Sequence, residues 1–294
     1  MEKFVILFSA VLILCSIVSA PAAGGEFSDW LEDFKEEARS EGISESTLRE
    51  LAGEFEFQPE ILPSVDRQPE FTVSFKEYKN WFVNENMIEA GVEKYSKLGD
   101  TLAEIENRYE IPGEYLLAIW GIESRYGSYN YQHDLLPALT TMAYGHPRSA
   151  DYFRSELLSL LKIHEEFNLP LENRRGSWAG AMGQPQFLPS TYQNYAVDFT
   201  GSGWADIWDE EADILASIAN YIYQHGWNKN AGCARRLAED EEVPEGKELI
   251  TTGDTDALRF AVTNNFHAIY NYNHSNHYAL TVCELAETIG NKIK

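Results

Sequence analysis

Along most of the chain, apolar and polar positions alternate with the period of an α-helix. After Gly42, the apolar pair Ile43 and Leu48 brackets Ser44, which predicts a serine N-cap closed by a hydrophobic staple and a helix opening there. Apolar positions recur at helical spacing from Trp81 to Leu98 and from Leu102 to Tyr109, and again over 151–167 and 212–225. Pro112 suits the first turn of a further helix, and Gly127 suits the position just past its end. Residues 229–260 are acidic and loop-like, with a short strand predicted at Leu249-Ile250-Thr251. Neither an internal repeat nor a low-complexity linker interrupts this pattern. The expectation is a mainly α protein, one compact body with lobes.

The N-terminus departs from it. Residues 4–20, FVILFSAVLILCSIVSA, form an apolar run behind Met1-Glu2-Lys3, and small residues from Ala20 to Ala23 place a cleavage site near Ala22 or Ala23. This predicts a secretory signal peptide over 1–22 and a mature chain of 23–294, periplasmic or otherwise exported. Two other readings stay open. The run of 17 residues comes close to the ~20 that span a bilayer. Cys15 is a conceivable lipidation site, although Leu14 stands where a small residue is wanted. No second run of spanning length follows, so the mature chain is expected to carry no membrane-spanning segment. It retains Cys233 and Cys283, which an oxidising compartment would let pair; sequence alone does not bring them together.

Composition narrows the partners. Of 294 residues, 44% are apolar and 13% aromatic, enough for a real core and too many for disorder. Forty-seven acids against 23 bases leave a net charge of −24, which argues against nucleic acid or anionic lipid as a ligand. The charge is uneven: residues 1–110 hold 23 acids and 10 bases, residues 201–260 thirteen and five, residues 261–294 two of each. The stretch 111–200 holds only nine acids and six bases, and it also carries most of the candidate chemistry.

In PGEYLLAIWGIESRYG, from Pro112 to Gly127, Leu116, Ile119, Trp120 and Glu123 fall at i, i+3, i+4 and i+7 and share one helix face. A glutamate thus occupies an apolar stripe in the last turn, beside a tryptophan. Burial and the helix C-terminus both disfavour its charged form, as a general acid requires. The plainer alternative is a glutamate paired with Arg125. Residues 176–192, GSWAGAMGQPQFLPSTY, combine glycines that allow close backbone approach with hydrogen-bonding Ser177, Gln186 and Tyr192. Near the C-terminus, NNFHAIYNYNHSNHYAL mixes aromatic rings with neutral amides, a lining suited to a sugar chain and equally found in an aromatic core.

Together these segments resemble the lytic murein transglycosylase B family, in AIWGIESRYG (118–127), GSWAGAMGQPQFLPSTYQNYAVDF (176–199), ANYIYQHGW (219–227) and YNHSNHYAL (272–280). QPE at 68–70 and the GIS-x-x-TL element at 42–48 are similar to the family's N-terminal part. The resemblance implies a lysozyme-like α core (111–200), completed by 214–294, with an added helical lobe (23–110) and a small irregular or β lobe. It implies cleavage of the β-1,4 bond between N-acetylmuramic acid and N-acetylglucosamine in peptidoglycan glycan strands, by a monomer. Glu123 would be the single acid and base, and the muramic C6 hydroxyl would attack C1 to leave a 1,6-anhydro product. An intramolecular hydroxyl replaces the second carboxylate of ordinary glycosidases. Substrate contacts are implied at Ser177, Gln186, Tyr221, Tyr272, Asn273 and Tyr278, at Arg148 for a peptide stem or sugar, and at Tyr78 for an outer subsite. His274 and His277 receive no metal role.

The family also carries an EF-hand-like loop, here DFTGSGWADIWDEEAD (198–213). Asp198, Thr200, Ser202, the Trp204 carbonyl, and Asp213 or Asp209 would offer oxygens to a structural Ca²⁺ or Na⁺, with Gly203 at the sharp turn. The chemistry itself would need no cofactor. Ser202 stands where an aspartate is usual, and one residue is inserted around Glu210-Glu211, so affinity should be reduced. A lysozyme-type hydrolase and a non-catalytic wall-binding protein are the competing readings.

Overall fold

The computed structural model describes residues 25–66, 73–129, 131–167, 169, 171, 174–253 and 257–294. The expected signal peptide with Cys15 and the QPE at 68–70 lie outside the described residues. In chain order the helices are α1 (Gly25–Ser40), α2 (Glu45–Glu50), a 3-10 turn at Pro59–Asp66, α3 (Phe75–Phe82), α4 (Glu85–Lys97), α5 (Gly99–Tyr109) and α6 (Gly113–Ser124). There follow α7 (Leu135–Gly145), α8 (Ala150–Phe167), α9 (Pro189–Tyr195), α10 (Glu211–Gln224), α11 (Asn264–Tyr270) and α12 (Asn276–Ile293). Two short strands, β1 (His133–Asp134) and β2 (Arg175–Gly176), pair antiparallel.

Local signals set many of these boundaries. Ser44 caps α2 by accepting from the Thr47 amide, and the stapling pair Ile43 and Leu48 is buried. The continuous helix expected from Trp81 to Leu98 is instead two. Asn84 breaks it, because its Oδ1 accepts from the Met87 amide (3.1 Å) while its Nδ2 donates to the Trp81 carbonyl (3.0 Å), so one side chain satisfies both helix ends. Pro112 is the N-cap of α6, one residue before the expected position. The other end of α6 also stops early. Arg125 and Tyr126 both take the left-handed conformation before Gly127 does.

The apolar stripe read onto α6 is corrected by its surroundings. Helices α4, α5, α10 and α12 pack around it, so Leu116, Leu117, Ala118, Ile119, Trp120 and Ile122 are all buried. A helix buried all round has no polar face, and Glu123 is exceptional because it is a charge in the last turn of a core helix.

The acidic stretch read as a loop with one strand holds a three-stranded antiparallel sheet. Strands β3 (Ala234–Leu237) and β4 (Glu248–Thr251) flank β5 (Arg259–Val262). Only the central strand is apolar enough to announce itself, with Phe260, Ala261 and Val262 buried. Cys233, at the foot of this sheet, is disulfide-bonded to Cys283 on α12, with Cα atoms 5.7 Å apart. No helix among the described residues is long and apolar enough to cross a membrane.

Candidate active site

Glu123 is half-buried at the C-terminal end of α6 and opens on a cleft of about 410 Å³. Ser177 and Gln186 line the same cleft, together with Phe82, Arg125, Tyr129, Tyr131, His133 and Trp178. Among the described lining residues Glu123 is the one carboxylate.

The turn after α6 is tied closely. The Arg125 amide donates to the Gly121 carbonyl (2.9 Å), the Tyr129 amide to the Ser124 carbonyl (2.9 Å), and the Gly127 amide to Ser124 Oγ (3.2 Å). The Tyr131 hydroxyl donates to the Glu123 carbonyl, a helix-end acceptor that would otherwise be orphaned. Gly127, at φ +81°, leaves no room for a side chain, since a Cβ there would lie 2.4 Å from Gln184 Oε1. Gln184 in turn accepts from the buried Trp120 indole (2.7 Å) and donates to the Trp208 carbonyl (2.5 Å). Helix α6 is thereby pinned to the acidic loop.

The Tyr278 hydroxyl donates to the carboxylate, with Oη 2.6 Å from Glu123 Oε1. Burial, and then the nearby Glu123 charge, push the Tyr278 and Tyr272 phenols well above their ordinary range. Tyr131 is raised for the same two reasons in the same order. All three therefore remain protonated across the working pH range and keep a proton to donate.

The glycine-rich segment forms the opposite wall. Gly176 pairs with His133 in the β1–β2 ribbon, and a Cβ on it would fall 2.1 Å from the Ala181 carbonyl. That tight fold lets Ser177 Oγ accept from the amides of Ala179 (3.2 Å) and Ala181 (3.0 Å), leaving its own proton to donate into the cleft. Gln186 takes a left-handed backbone, and its Nε2 donates to the Gly183 carbonyl (2.7 Å). Its amide oxygen is left to accept.

The remaining expected positions fall into layers. Tyr272, half-buried, stacks on Tyr278 and donates to the Pro185 carbonyl (2.7 Å); Tyr221 crosses Tyr272 edge-on and donates to the Asn271 carbonyl (2.6 Å). Asn273 is half-buried in the turn before α12, its carbonyl accepting from the Ser275 amide. Tyr78 is buried against Trp81, Phe82 and His277, one layer behind the cleft wall. Arg148 is exposed in the turn before α8 and does not line the Glu123 cleft. His274 is exposed beside Tyr270; His277 is packed between Phe75 and Tyr78. Tyr131, His133, Trp178 and Arg125 were not singled out from the sequence as cleft residues. The aromatic run Tyr129-Asn130-Tyr131 so soon after Glu123 was the available signal.

In the 198–213 loop, Asp198 accepts from the amides of Ser202 (2.9 Å) and Gly203 (2.8 Å), and the Thr200 and Ser202 hydroxyls approach it at 3.5 Å. Ser202 Oγ also donates to the Trp204 carbonyl (3.0 Å). Asp213 is fully buried and turned elsewhere, accepting from the amides of Phe199, Thr200 and Asp206. Burial raises its pKa. Four of the expected oxygens thus gather around Asp198, with one carboxylate among them. Among the described residues no three acidic, histidine or cysteine side chains converge as a metal cage.

The family model "Transglycosylase SLT domain" matches residues 26–254 and 238–287. The chain belongs to this family. Within it, the chain is 31% identical over 286 residues to the membrane-bound lytic murein transglycosylase B of Escherichia coli K12, covering 84% of this chain and 79% of that protein. SltB3 from Pseudomonas aeruginosa, solved in complex with NAG-NAM-pentapeptide, superposes with a TM-score of 0.83 at 31% identity over 91% of this chain and 80% of that one. The Escherichia coli lytic transglycosylase SLT35, solved in complex with calcium, superposes with a TM-score of 0.78 at 28% identity over 90% and 93%. The transglycosylase-family fold is thus shared across nearly the whole described chain, and the mainly helical, lysozyme-like architecture read from the sequence holds.

Proposed function

We propose that the protein is a peptidoglycan lytic transglycosylase, cleaving between N-acetylmuramic acid and N-acetylglucosamine with Glu123 as its single acid and base. The observation that carries this is the solitary carboxylate in a cleft otherwise lined by aromatic and polar side chains and one cation, Arg125. A hydrolase of the usual kind needs a second carboxylate, as nucleophile or as base for water. Protonated Glu123 gives its proton to the glycosidic oxygen as the C1–O bond breaks. The resulting carboxylate, held by Tyr278, takes the proton of the muramic C6 hydroxyl as that oxygen bonds to C1. The products are a 1,6-anhydromuramoyl end and a free N-acetylglucosamine hydroxyl, so atoms and protons balance without water. Ser177 and Gln186 offer a donor and an acceptor to the sugar, and Trp178, Tyr129 and Tyr131 offer rings for stacking.

The same acid with water as acceptor would give the lysozyme-type product, heavier by one water. Mass spectrometry of digested sacculi separates the two, and Glu123→Gln should abolish either. Reducing ends alone would refute the transglycosylase reading. Sacculus binding without turnover in any buffer would leave a wall-binding protein. A Ca²⁺ ion, where present, would be held by Asp198, Thr200, Ser202 and the Trp204 carbonyl, would stiffen the loop, and would bind weakly with one carboxylate in the set. Export by the N-terminal signal and action as a monomer complete the proposal.

A further inference from the structure

Arg174 stands at the foot of the glycine-rich wall, three residues before Ser177. Its side chain is only 19% exposed, and its guanidinium carbon rests over two indoles, 4.9 Å from the Trp208 ring centre and 5.5 Å from that of Trp204. The two rings lie 6.1 Å apart, tilted by 34°, and the one flat cation contacts both. Its Nη1 also reaches Asp209 Oδ2 at 3.4 Å, but that carboxylate is 80% exposed and the contact is long, so it adds little. The rings are what hold the side chain.

That seat is fixed by the acidic loop (198–213). Asp206 Oδ1 accepts from the amides of Trp208 (3.0 Å) and Asp209 (3.1 Å), and buried Asp213 accepts from the Asp206 amide (2.8 Å). The Tyr192 hydroxyl donates to the Ala205 carbonyl (2.9 Å), which ties the same turn to α9. On the other side, Arg174 leads into the cleft wall. Its carbonyl accepts from the Leu135 amide (3.2 Å) at the start of α7, and the next two residues are β2, with Arg175 opposite Asp134 and Gly176 opposite His133. A ribbon of two residues per strand is too short to fix its own position. Ser177 follows directly and lines the Glu123 cleft.

We propose that Arg174 is a positioning residue for substrate binding: seated on Trp204 and Trp208, it holds the β1–β2 ribbon and so sets where Ser177 meets the sugar opposite Glu123. The inference rests on the peptidoglycan reading above and deepens it. The acidic loop then reaches both sides of the cleft. Through Gln184 it holds α6, which carries the acid, and losing that link falls on kcat. Through Arg174 it holds a wall that binds, and losing that link falls on KM.

The test uses the full chain. Arg174→Met keeps a long apolar stem on the rings and removes the cation, while Arg174→Lys returns a charge without the flat fork. With Glu123→Gln added to prevent turnover, calorimetry reads the binding of a stem-free tetrasaccharide of alternating N-acetylglucosamine and N-acetylmuramic acid. Arg174→Met should raise Kd about five- to tenfold, and in the active enzyme raise KM alike with kcat within about twofold. Arg174→Lys should recover about half of that loss on a logarithmic scale; if Arg174→Met melts too early to assay, a Kd raised about two- to threefold in Arg174→Lys decides. Once Ser177→Ala is in place, Arg174→Met should add less than about twofold, because the two residues act in one line. Binding by Arg174→Met within about twofold of its parent overturns the proposal. So does a loss confined to kcat, a failure of Arg174→Lys to recover, or effects of Arg174→Met and Ser177→Ala that multiply in full. A wild-type chain that releases only reducing ends, yet binds glycan in this Arg174-dependent way, would support Arg174 and refute the transglycosylase reading. Anhydro products from a chain indifferent to Arg174 would do the reverse.

Discussion

Tyr278→Phe isolates what holds the catalytic carboxylate. The substitution deletes one oxygen, the donor 2.6 Å from Glu123 Oε1, and keeps the ring that stacks on Tyr272 with centroids 6.3 Å apart. A hydrogen bond to a charged group is worth about 1.5–3 kcal/mol, and each 1.36 kcal/mol is about tenfold in rate. The donor favours the ionised form, which the second step needs as a base, and it holds the carboxylate in one rotamer for both steps. The expected loss in kcat is therefore between about tenfold and about a hundredfold, with KM within about twofold because the phenol is buried behind the carboxylate. The pH–rate profile should shift to higher pH, since the carboxylate loses a group that favoured its charge. Anhydromuropeptide release from sacculi, followed by mass spectrometry from pH 4 to 8, reads both effects. Thermal unfolding checks that the fold survives. A kcat within twofold of wild type with an unmoved profile would refute the role given to Tyr278.

Gln184→Ala should cost about 2–3 kcal/mol in urea unfolding, because it strands the buried Trp120 indole and frees the Trp208 carbonyl, and it should lower kcat more than it raises KM; a loss below about 0.5 kcal/mol would show that the link to the acidic loop carries nothing. Replacing both Cys233 and Cys283 by alanine opens a loop with a sequence separation of 50, for which chain entropy gives about 4 kcal/mol. Urea midpoints for that variant and for reduced wild type should agree. Above pH 10 stability should fall with pH. Burial raises Tyr221 to about 12, so over that interval the unfolded phenol ionises and the folded one does not, at about 1.4 kcal/mol per pH unit. Tyr221→Phe should flatten that limb of the urea-midpoint curve.

Much of the local structure was legible in the residues themselves. The Ser44 cap and the helices at 151–167 and 212–225 rest on contacts three or four residues apart, which hydrophobic period and capping chemistry report directly, and the same spacing placed Glu123 in the last turn of an apolar helix. Where a local signal misled, a tertiary or side-chain contact had outcompeted it. Asn84 split one helix because its amide could cap two. The stop expected at Gly127 came at Arg125 because Ser124, Tyr129 and Tyr131 bind the last turn first. The sheet stayed hidden because its two outer strands are mostly polar and only the buried Phe260-Ala261-Val262 is apolar.

By itself, then, the sequence determined which segments are helical and which residues are candidates for the chemistry, since both are written in residue type and short spacing. Only the tertiary structure decided what stands beside Glu123. Tyr278 reaches it across 155 residues of chain and Gln184 reaches Trp120 across 64. Cys233 meets Cys283 at the base of a sheet, and Arg174 comes to rest on Trp204 and Trp208. No periodicity encodes such pairs. They are selected by the packing of α4, α5, α10 and α12 around α6, which brings distant segments to the helix end that carries Glu123.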